Sequence, residues 1–162
     1  MRKMVIEDIE LQKRLTSDYE QNSVDVVVKA CEMIIDSLSN GGCVYLCGNG
    51  GSAADCQHIA GEFVGRFLKN RKALPAVALT ADQTILTAVG NDFSYDDVFE
   101  RSVSALCKKN DVLWAFSTSG KSANILKAAK VAKNKGVKVL AFTGKAESPL
   151  EEMSDVCLVA EA

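Results

Sequence analysis

Several features that commonly reveal the function of a protein are scarce or missing in this sequence of 162 residues. It has one histidine and two prolines, and none of its six cysteines forms a CxxC pair, which argues against a cysteine-only zinc site and against a redox motif. The 19 basic and 21 acidic residues are well mixed, so the formal charge of −2 provides no electrostatic footprint for nucleic acid or an anionic membrane. This composition favours chemistry on a small molecule.

Long apolar runs are missing as well. No stretch approaches the length that crosses a bilayer, and the N-terminus has no uninterrupted apolar segment of the kind found in signal peptides. The cysteines lie in apolar or periodic segments and are predicted to be reduced thiols. We therefore expect a cytoplasmic protein whose residues 1–162 form one domain and bind neither membrane nor nucleic acid.

The hydrophobic pattern predicts alternating helices and strands. Apolar residues recur at helical spacing from about Ile6 to Ser39 and predict two helices, so that residues 1–40 form an N-terminal helical region. Five short apolar runs follow, which indicates a doubly wound α/β fold with a five-stranded parallel sheet covered on both faces. The predicted strands are 43–47, 75–79, 111–116, 137–142 and 155–159, and the helices between them lie near 84–89, 95–107, 122–135 and 149–153.

A glycine-rich segment joins the first predicted strand to a helix. Gly48, Gly50 and Gly51 allow positive φ angles and a close approach of the backbone to a ligand. Asn49 and Ser52 add side chains that form hydrogen bonds, and Ser52 is also a candidate N-cap for the helix. The free N–H groups of that helix favour an anion such as phosphate. A tight turn without a ligand is the alternative.

The only histidine lies in the helix after this turn. His58, Glu62 and Arg66 are spaced four residues apart, which predicts that they align on one helical face. His58 and Glu62 could hold a divalent ion such as Zn²⁺ from two sides, although two ligands are too few for a complete site. A solvated helix face with an ordinary ion pair is the alternative.

The third predicted strand leads into a segment rich in hydroxyl groups, residues 117–122. Ser117, Thr118, Ser119 and Ser122 precede a helix, a composition typical of a phosphate cradle. The earlier glycine of a P-loop is missing, which disfavours a nucleoside triphosphatase. A serine-rich capping turn is the alternative.

An amide and a carboxylate, Asn91 and Asp92, follow a glycine in another predicted loop. They could bind sugar hydroxyls, and a turn with Asx caps is the alternative.

Three segments, 48–67, 79–99 and 115–130, together resemble the SIS, or sugar isomerase, fold. Within it they are most similar to the bacterial sedoheptulose 7-phosphate isomerases, also called phosphoheptose isomerases. The resemblance implies a homotetramer with zinc in active sites between subunits. It also implies conversion of sedoheptulose 7-phosphate to D-glycero-D-manno-heptose 7-phosphate, a precursor of the lipopolysaccharide core.

The resemblance assigns roles position by position. Moving a proton between C1 and C2 through an enediol or enediolate requires a group such as a carboxylate, and Glu62 matches the family's catalytic one. The implied substrate residues are Asn49, Gly50, Gly51 and Ser52 at the turn, Asn91 and Asp92 for the sugar, Ser117, Thr118, Ser119 and Ser122 for the phosphate, and Arg66 as a charged neighbour; the implied zinc ligands are His58 and Glu62.

The family continues past the strand at 155–159 into a further helix. That helix supplies a glutamine and a second histidine, which complete the metal site and provide the partner acid or base. This sequence ends at Ala162 and contains only His58, so we expect a truncated chain.

Two other functions compete with an isomerase. One is a non-catalytic SIS protein that binds a sugar phosphate or a protein partner such as a replication initiator. Glu62 favours the enzyme, because an interaction module has no chemical need for a carboxylate at that position. The other is a regulatory SIS domain, which is usually fused to a DNA-binding domain, and no such basic domain is present.

Overall fold

Two helices precede the sheet in the computed structural model, which describes residues 1–161. They are α1, Arg2–Asn22, and α2, Val24–Ser39, so the prediction of two N-terminal helices is confirmed. The chain leaves α2 at its C-cap residue Asn40, and Gly41 follows with a φ of 73°, a conformation that glycine adopts without strain. None of the residues of α1 is buried, whereas α2 packs on the sheet.

The sheet has five parallel strands in the order β2-β1-β3-β4-β5, which confirms the predicted fold class. Val44 pairs with Ala76 on one side and with Val112 on the other, so β1 lies between β2 and β3. The strands are largely apolar because helices cover both faces. Their bounds are β1 Val44–Cys47, β2 Ala76–Ala78, β3 Val112–Ser117, β4 Lys138–Thr143 and β5 Val156–Val159.

Five further α-helices connect the strands within residues 1–161. Packing on one face of the sheet surrounds Phe99, Leu113 and Ile125, and on the other it surrounds Leu46 and Cys56. No helix in this part of the chain is both long enough and apolar enough to cross a membrane. The helices are α3 Gly51–Val64, α4 Gln83–Asp92, α5 Val98–Leu106, α6 Ala123–Asn134 and α7 Pro149–Met153.

Two predicted helices differ from the structure. The helix predicted at 95–107 is divided into a 3-10 turn, Tyr95–Asp97, and α5, because the Ser94 side chain accepts a hydrogen bond from Asp96 N and starts the turn separately. The helix predicted at 84–89 extends to Asp92. Asn91 and Asp92 therefore lie in the last turn of α4 and not in a loop after it.

The strand order creates a switch point between β1 and β3. The chain leaves β1 toward β2 on one side, and it returns from β2 to β3 on the other side of β1. In a parallel sheet, loops that diverge in this way leave a crevice at the carboxyl ends of the strands, where ligands bind. The segments Gly48–Ser52 and Ser117–Ser122 follow these two neighbouring strands.

Candidate active site

The glycine turn after β1 is held tightly against the first turn of α3. Gly50 is the N-cap residue, with a φ of 58°, so the prediction that Ser52 caps the helix is wrong. Ser52 is the second residue of α3, and its backbone N–H donates to Asn49 O at 3.1 Å. A Cβ atom on Gly48 would lie 2.8 Å from Ser52 Cβ, so this close packing requires a glycine. Gly50 and Gly51 are exposed, and nothing lies within 4 Å of a Cβ position on either, so a ligand can approach the backbone there.

The serine loop, Ser117–Ser122, is also folded compactly. Ser117 Oγ and Ser122 Oγ lie 3.0 Å apart, and Lys121 N donates to Ser119 Oγ at 3.2 Å. Gly120 has a φ of 64°, and a Cβ atom there would lie 2.3 Å from the side chain of Ser148. Ser122 is the N-cap residue of α6, but its side chain forms no capping hydrogen bond. The loop therefore presents hydroxyl groups beside the N-terminus of a helix.

Two asparagines connect the glycine turn with the start of α6. Asn49 Nδ2 donates to Asn124 Oδ1 at 3.0 Å, and Asn124 Nδ2 donates to Asn49 Oδ1 at 2.9 Å. Tyr95 Oη also donates to Asn49 Oδ1, at 3.1 Å. Sequence reasoning missed Asn124 and Tyr95, because neither belongs to a recognisable chemical motif and their contacts span long stretches of chain.

Ser52, Ser117 and Thr118 line one cavity of about 210 Å³. A larger cavity of about 590 Å³ adjoins it and includes Thr118, Ser119 and Lys121. The other side of the larger cavity is the β4–α7 loop with Lys145, a second basic residue that sequence reasoning missed. Basic side chains beside hydroxyl groups suit a phosphate group.

The His58 and Glu62 side chains lie on one face of α3, as predicted. His58 Nε2 is 3.4 Å from Glu62 Oε1, and the side chains are 75% and 36% exposed. They line a cavity of about 320 Å³ together with Phe67 and Arg71. This cavity shares no lining residue with those of the serine loop, so most of the predicted phosphate residues and the predicted metal ligands line different concave surfaces.

Arg66 does not share the helical face of His58 and Glu62, and that prediction is wrong. α3 ends at Val64, with Gly65 as its C-cap residue, so Arg66 lies beyond the helix. Arg71 closes the helix end: its Nη1 donates to Phe63 O at 2.9 Å and its Nη2 donates to Glu62 O at 2.7 Å. An arginine at this end also interacts favourably with the helix dipole.

The predicted sugar-binding pair, Asn91 and Asp92, is exposed at the end of α4. Asn91 Nδ2 donates to Asp92 Oδ1 at 2.8 Å. Neither residue lines the cavities of the serine loop or the cavity of His58 and Glu62. Their role as sugar ligands stays a prediction.

Known proteins share both the sequence and the fold. The model of the SIS domain family matches residues 9–144. The phosphoheptose isomerase of Burkholderia pseudomallei is 52% identical over 139 residues, which are 86% of this chain and 71% of the relative. The phosphoheptose isomerase of Campylobacter concisus is 44% identical over 159 residues, 98% of this chain and 84% of the relative. The solved structure of phosphoheptose isomerase GmhA from Neisseria gonorrhoeae superposes with a TM-score of 0.92 at 39% identity, and the match covers 99% of this chain and 86% of that one.

This chain belongs to the phosphoheptose isomerase family of SIS domain proteins. A second solved member of the family, from Francisella tularensis, superposes with a TM-score of 0.94 at 32% identity, covering 99% of this chain and 85% of that one. The similarity to both structures spans the glycine turn and the serine loop, because nearly the whole described chain is covered.

Two residues, His58 and Glu62, are the candidates for holding a metal ion. Within residues 1–161, no group of three or more histidine, cysteine, aspartate or glutamate side chains is placed to hold a metal ion. The 3.4 Å between His58 Nε2 and Glu62 Oε1 nevertheless suits two ligands of one tetrahedral zinc, which lie roughly 3.3 Å apart when each bond is about 2.0–2.1 Å. The pair fits zinc as part of a site and requires further ligands.

Three of the cysteines are buried and poorly nucleophilic. All six cysteines are free. Burial raises the pKa of the Cys56 and Cys107 thiols to about 12 and raises the pKa of Cys47 well above its ordinary value. A buried neutral thiol is a weak nucleophile, so the chemistry of this site does not depend on cysteine.

Proposed function

We propose that this chain converts sedoheptulose 7-phosphate to D-glycero-D-manno-heptose 7-phosphate, in the supply of heptose for the lipopolysaccharide core. The observation that carries the proposal is the junction of the glycine turn and the serine loop at the β1–β3 switch point, next to a helix that presents Glu62. The similarity to proteins named phosphoheptose isomerase supports the same reaction.

The serine loop would hold the phosphate. Its four hydroxyl side chains and the N-terminus of α6 supply donors, and the adjoining cavity is lined by two lysines, Lys121 and Lys145, against one carboxylate, Glu147. The backbone of Gly50 and Gly51 would contact the sugar chain from the other side of the crevice. The phosphate-binding residues of the proposal are Ser117, Thr118, Ser119 and Ser122.

Glu62 would move the carbon-bound proton. Its carboxylate removes the proton from C1 of the ketose, and the electron pair of that C–H bond forms the C1–C2 double bond of an enediol. The carbonyl oxygen at C2 gains a proton in this step. The carboxylic acid then returns its proton to C2, while the hydroxyl at C1 loses its proton and becomes the aldehyde. The second acid or base, which serves the oxygens, is expected from the helix that follows β5 in the family.

Zinc is the proposed cofactor, held from two sides by His58 and Glu62. When bound, it would polarise the substrate carbonyl and stabilise negative charge on the enediolate oxygens. The other ligands are expected from the same further helix. Glu62 would then act both as a zinc ligand and as the proton-transfer group, so its position relative to His58 would affect both metal affinity and proton transfer.

A homotetramer is the proposed assembly, with copies of this chain as its only protein partner. The support comes from α1, whose apolar side chains have no cover within one chain: Met4, Val5, Ile6 and Ile9 are between 49% and 66% exposed. An apolar stripe of this kind suits contact with another copy. Sedimentation velocity tests the assembly directly. The proposed compartment is the cytoplasm, which suits six free cysteines.

Conversion of sedoheptulose 7-phosphate, followed by NMR, tests the proposed reaction. The assay uses this chain and a version extended through the helix that follows β5 in the family, each with and without added zinc. We expect the aldose product with the zinc-loaded extended version. If neither version forms product although both bind the sugar phosphate, the reaction is wrong and a non-catalytic SIS protein becomes the better interpretation.

A further inference from the structure

The amide pair that joins the glycine turn to α6 consists of one buried residue, Asn124, and one half-buried residue, Asn49. Asn124 is only 3% exposed, and its amide forms two hydrogen bonds with the amide of Asn49. Buried polar groups are expensive to leave without partners, so a pair that satisfies itself has strong geometric preferences. These two side chains therefore restrict how the turn and the helix can move relative to each other.

The amide pair also contacts the backbone of α6. Ile125 N–H donates to Asn124 Oδ1 at 3.0 Å and to Ser122 O at 3.1 Å. In the reciprocal pairing, each amide donates one N–H to the oxygen of the other. The Asn124 side chain is thus held both by its own helix and by the glycine turn.

Both carbonyl oxygens of the pair are fully used. Asn49 Oδ1 accepts from Asn124 Nδ2 and from Tyr95 Oη, while Asn124 Oδ1 accepts from Asn49 Nδ2 and from Ile125 N. An amide oxygen has two lone pairs. The Asn49 side chain can therefore offer a substrate only its remaining N–H, and the buried Asn124 has almost no surface with which to contact one.

Tyr95 extends this network to a third segment. Its 3-10 turn is tied to α6 by the Asp97 carboxylate, whose Oδ1 lies 2.6 Å from Lys127 Nζ. The same connection between β2 and β3 contains Asn91 and Asp92 at the end of α4. Hydrogen bonds from Asn124 and Tyr95 to Asn49 thus connect three segments: the start of α6, the connection between β2 and β3, and the glycine turn.

We propose that Asn124 is a positioning residue that acts through Asn49, holding the glycine turn in register with the serine loop. Tyr95 supports the same contact from the connection between β2 and β3. The consequence for the proposed isomerase, on which this part of the inference rests, is that Asn124 fixes the turn that would contact the sugar while touching no substrate atom itself.

Residue-resolved hydrogen–deuterium exchange by NMR tests the positioning role without any assumption about the reaction. Asn124→Ala should raise exchange at the amides of Ser52 and Ala53, which donate to Asn49 O and Gly50 O, by about tenfold, because it removes both hydrogen bonds that hold the Asn49 side chain to α6. The matched control is Asn134→Ala at the exposed far end of the same helix, which should leave these amides unchanged. Tyr95→Phe removes one hydroxyl from a largely exposed side chain and should raise exchange at the same amides by about threefold.

Affinity measurements then separate the positioning role from the proposed reaction. Asn124→Ala should weaken binding of sedoheptulose 7-phosphate about tenfold and binding of inorganic phosphate by less, since the serine loop is unaltered. Asn49→Ala should have a similar effect, and the double variant should be no worse than Asn49→Ala alone.

Three results would overturn the positioning role. The first is wild-type exchange at the turn in both Asn124→Ala and Tyr95→Phe. The second is a rise in exchange that spreads evenly across β3 to β5. The third is a loss of affinity in the double variant that equals the sum of the losses in the two single variants. Should Asn124→Ala fail to fold, Tyr95→Phe decides the question. If exchange responds as expected while neither this chain nor the zinc-loaded extended version has isomerase activity, the proposed function fails and the positioning role stands.

Discussion

The two ends of the parallel strands differ in how their polar side chains are bonded. We call the side where the strands begin the amino edge of the sheet and the side where they end the carboxyl edge. At the amino edge, the Asp111 carboxylate accepts hydrogen bonds from Cys43 N at 2.8 Å and from Lys108 N at 2.6 Å. Asp155 accepts one from Val139 N at 2.8 Å, and Ser37 Oγ donates to Asn110 O at 2.6 Å. These polar groups bond to the backbone and stabilise the starts of strands.

At the carboxyl edge, several polar side chains bond to side chains of another segment or of the same loop. Ser117 pairs with Ser122, and Asn49 pairs with Asn124. Ser52, Ser117 and Thr118 also line an adjoining cavity, where their hydroxyl groups can meet a ligand. The contrast is between polar side chains that stabilise the starts of strands and polar side chains that connect loops beside a cavity.

The largest expected effect is loss of catalysis at the carboxyl edge. Glu62→Gln keeps the size of the side chain but removes the base, so turnover of sedoheptulose 7-phosphate should fall by about 10³-fold. The melting temperature should change little, because the side chain is partly exposed. NMR assays of turnover measure the effect.

The control for that variant is Glu32→Gln, an exposed residue beside the amino-edge groove of α2. It should leave turnover unchanged. Retention of more than a tenth of the activity in Glu62→Gln would remove this carboxylate from the mechanism.

The largest stability effect is expected at the amino edge. Asp111→Ala leaves two backbone N–H groups without their charged acceptor and should lower the free energy of unfolding by about 3 kcal/mol. Urea denaturation measures the loss. Asp55→Ala, at an exposed position on α3, should change stability by less than about 0.5 kcal/mol. Equal effects of the two substitutions would contradict a structural role for Asp111.

Two glycines with similar positive φ angles, Gly120 at the carboxyl edge and Gly136 at the amino edge, allow the same substitution to be compared at both edges. Gly120→Ala introduces a Cβ atom 2.3 Å from the Ser148 side chain at a positive φ, and should destabilise the protein by about 2–3 kcal/mol and weaken phosphate binding. Gly136→Ala has a similar φ of 71° but nothing within 4 Å of the new atom, so it should lose only about 1 kcal/mol and bind phosphate normally. Thermal unfolding and phosphate titration measure both. A loss in Gly136→Ala as large as in Gly120→Ala would show that strain alone explains the effect.

The smallest effect concerns the thiols. Cys31 is exposed and should react with a thiol reagent at neutral pH, whereas Cys56 and Cys107, whose pKa burial raises to about 12, should not. Because their folded pKa is raised, these thiols favour the folded state fully below their unfolded pKa of about 8.5, and this contribution is lost as the pH rises toward 12. Mass spectrometry of labelled peptides shows which cysteines react first. Prompt labelling of Cys56 in folded protein would contradict its burial.

Much of the fold could be predicted because its signals are local. Each of the five strands lies within a residue or two of its predicted position, since a short apolar run between turn residues is typical of a buried parallel strand. The glycine turn and the serine loop could be located for the same reason, as each directly follows a strand.

The errors in the site arise from contacts between distant parts of the chain. α3 ends before Arg66, and Arg71 bonds to the carbonyl groups at that end, which helical spacing cannot reveal. The helix with Asn91 extends further than its apolar pattern indicated. Asn124 and Tyr95 matter to the site only because they form hydrogen bonds with Asn49. Asn124 is 75 positions from Asn49 in the chain, and Tyr95 is 46 positions from it.

The most direct test of the central claim is a map of amide chemical shifts on titration with sedoheptulose 7-phosphate. We expect shifts concentrated at the carboxyl edge, in the glycine turn and in the serine loop, with the amides of Asn110 and Gly136 at the amino edge unmoved. Shifts centred on the amino-edge groove, or no saturable shifts at all, would contradict the assignment of the carboxyl edge as the sugar-phosphate site.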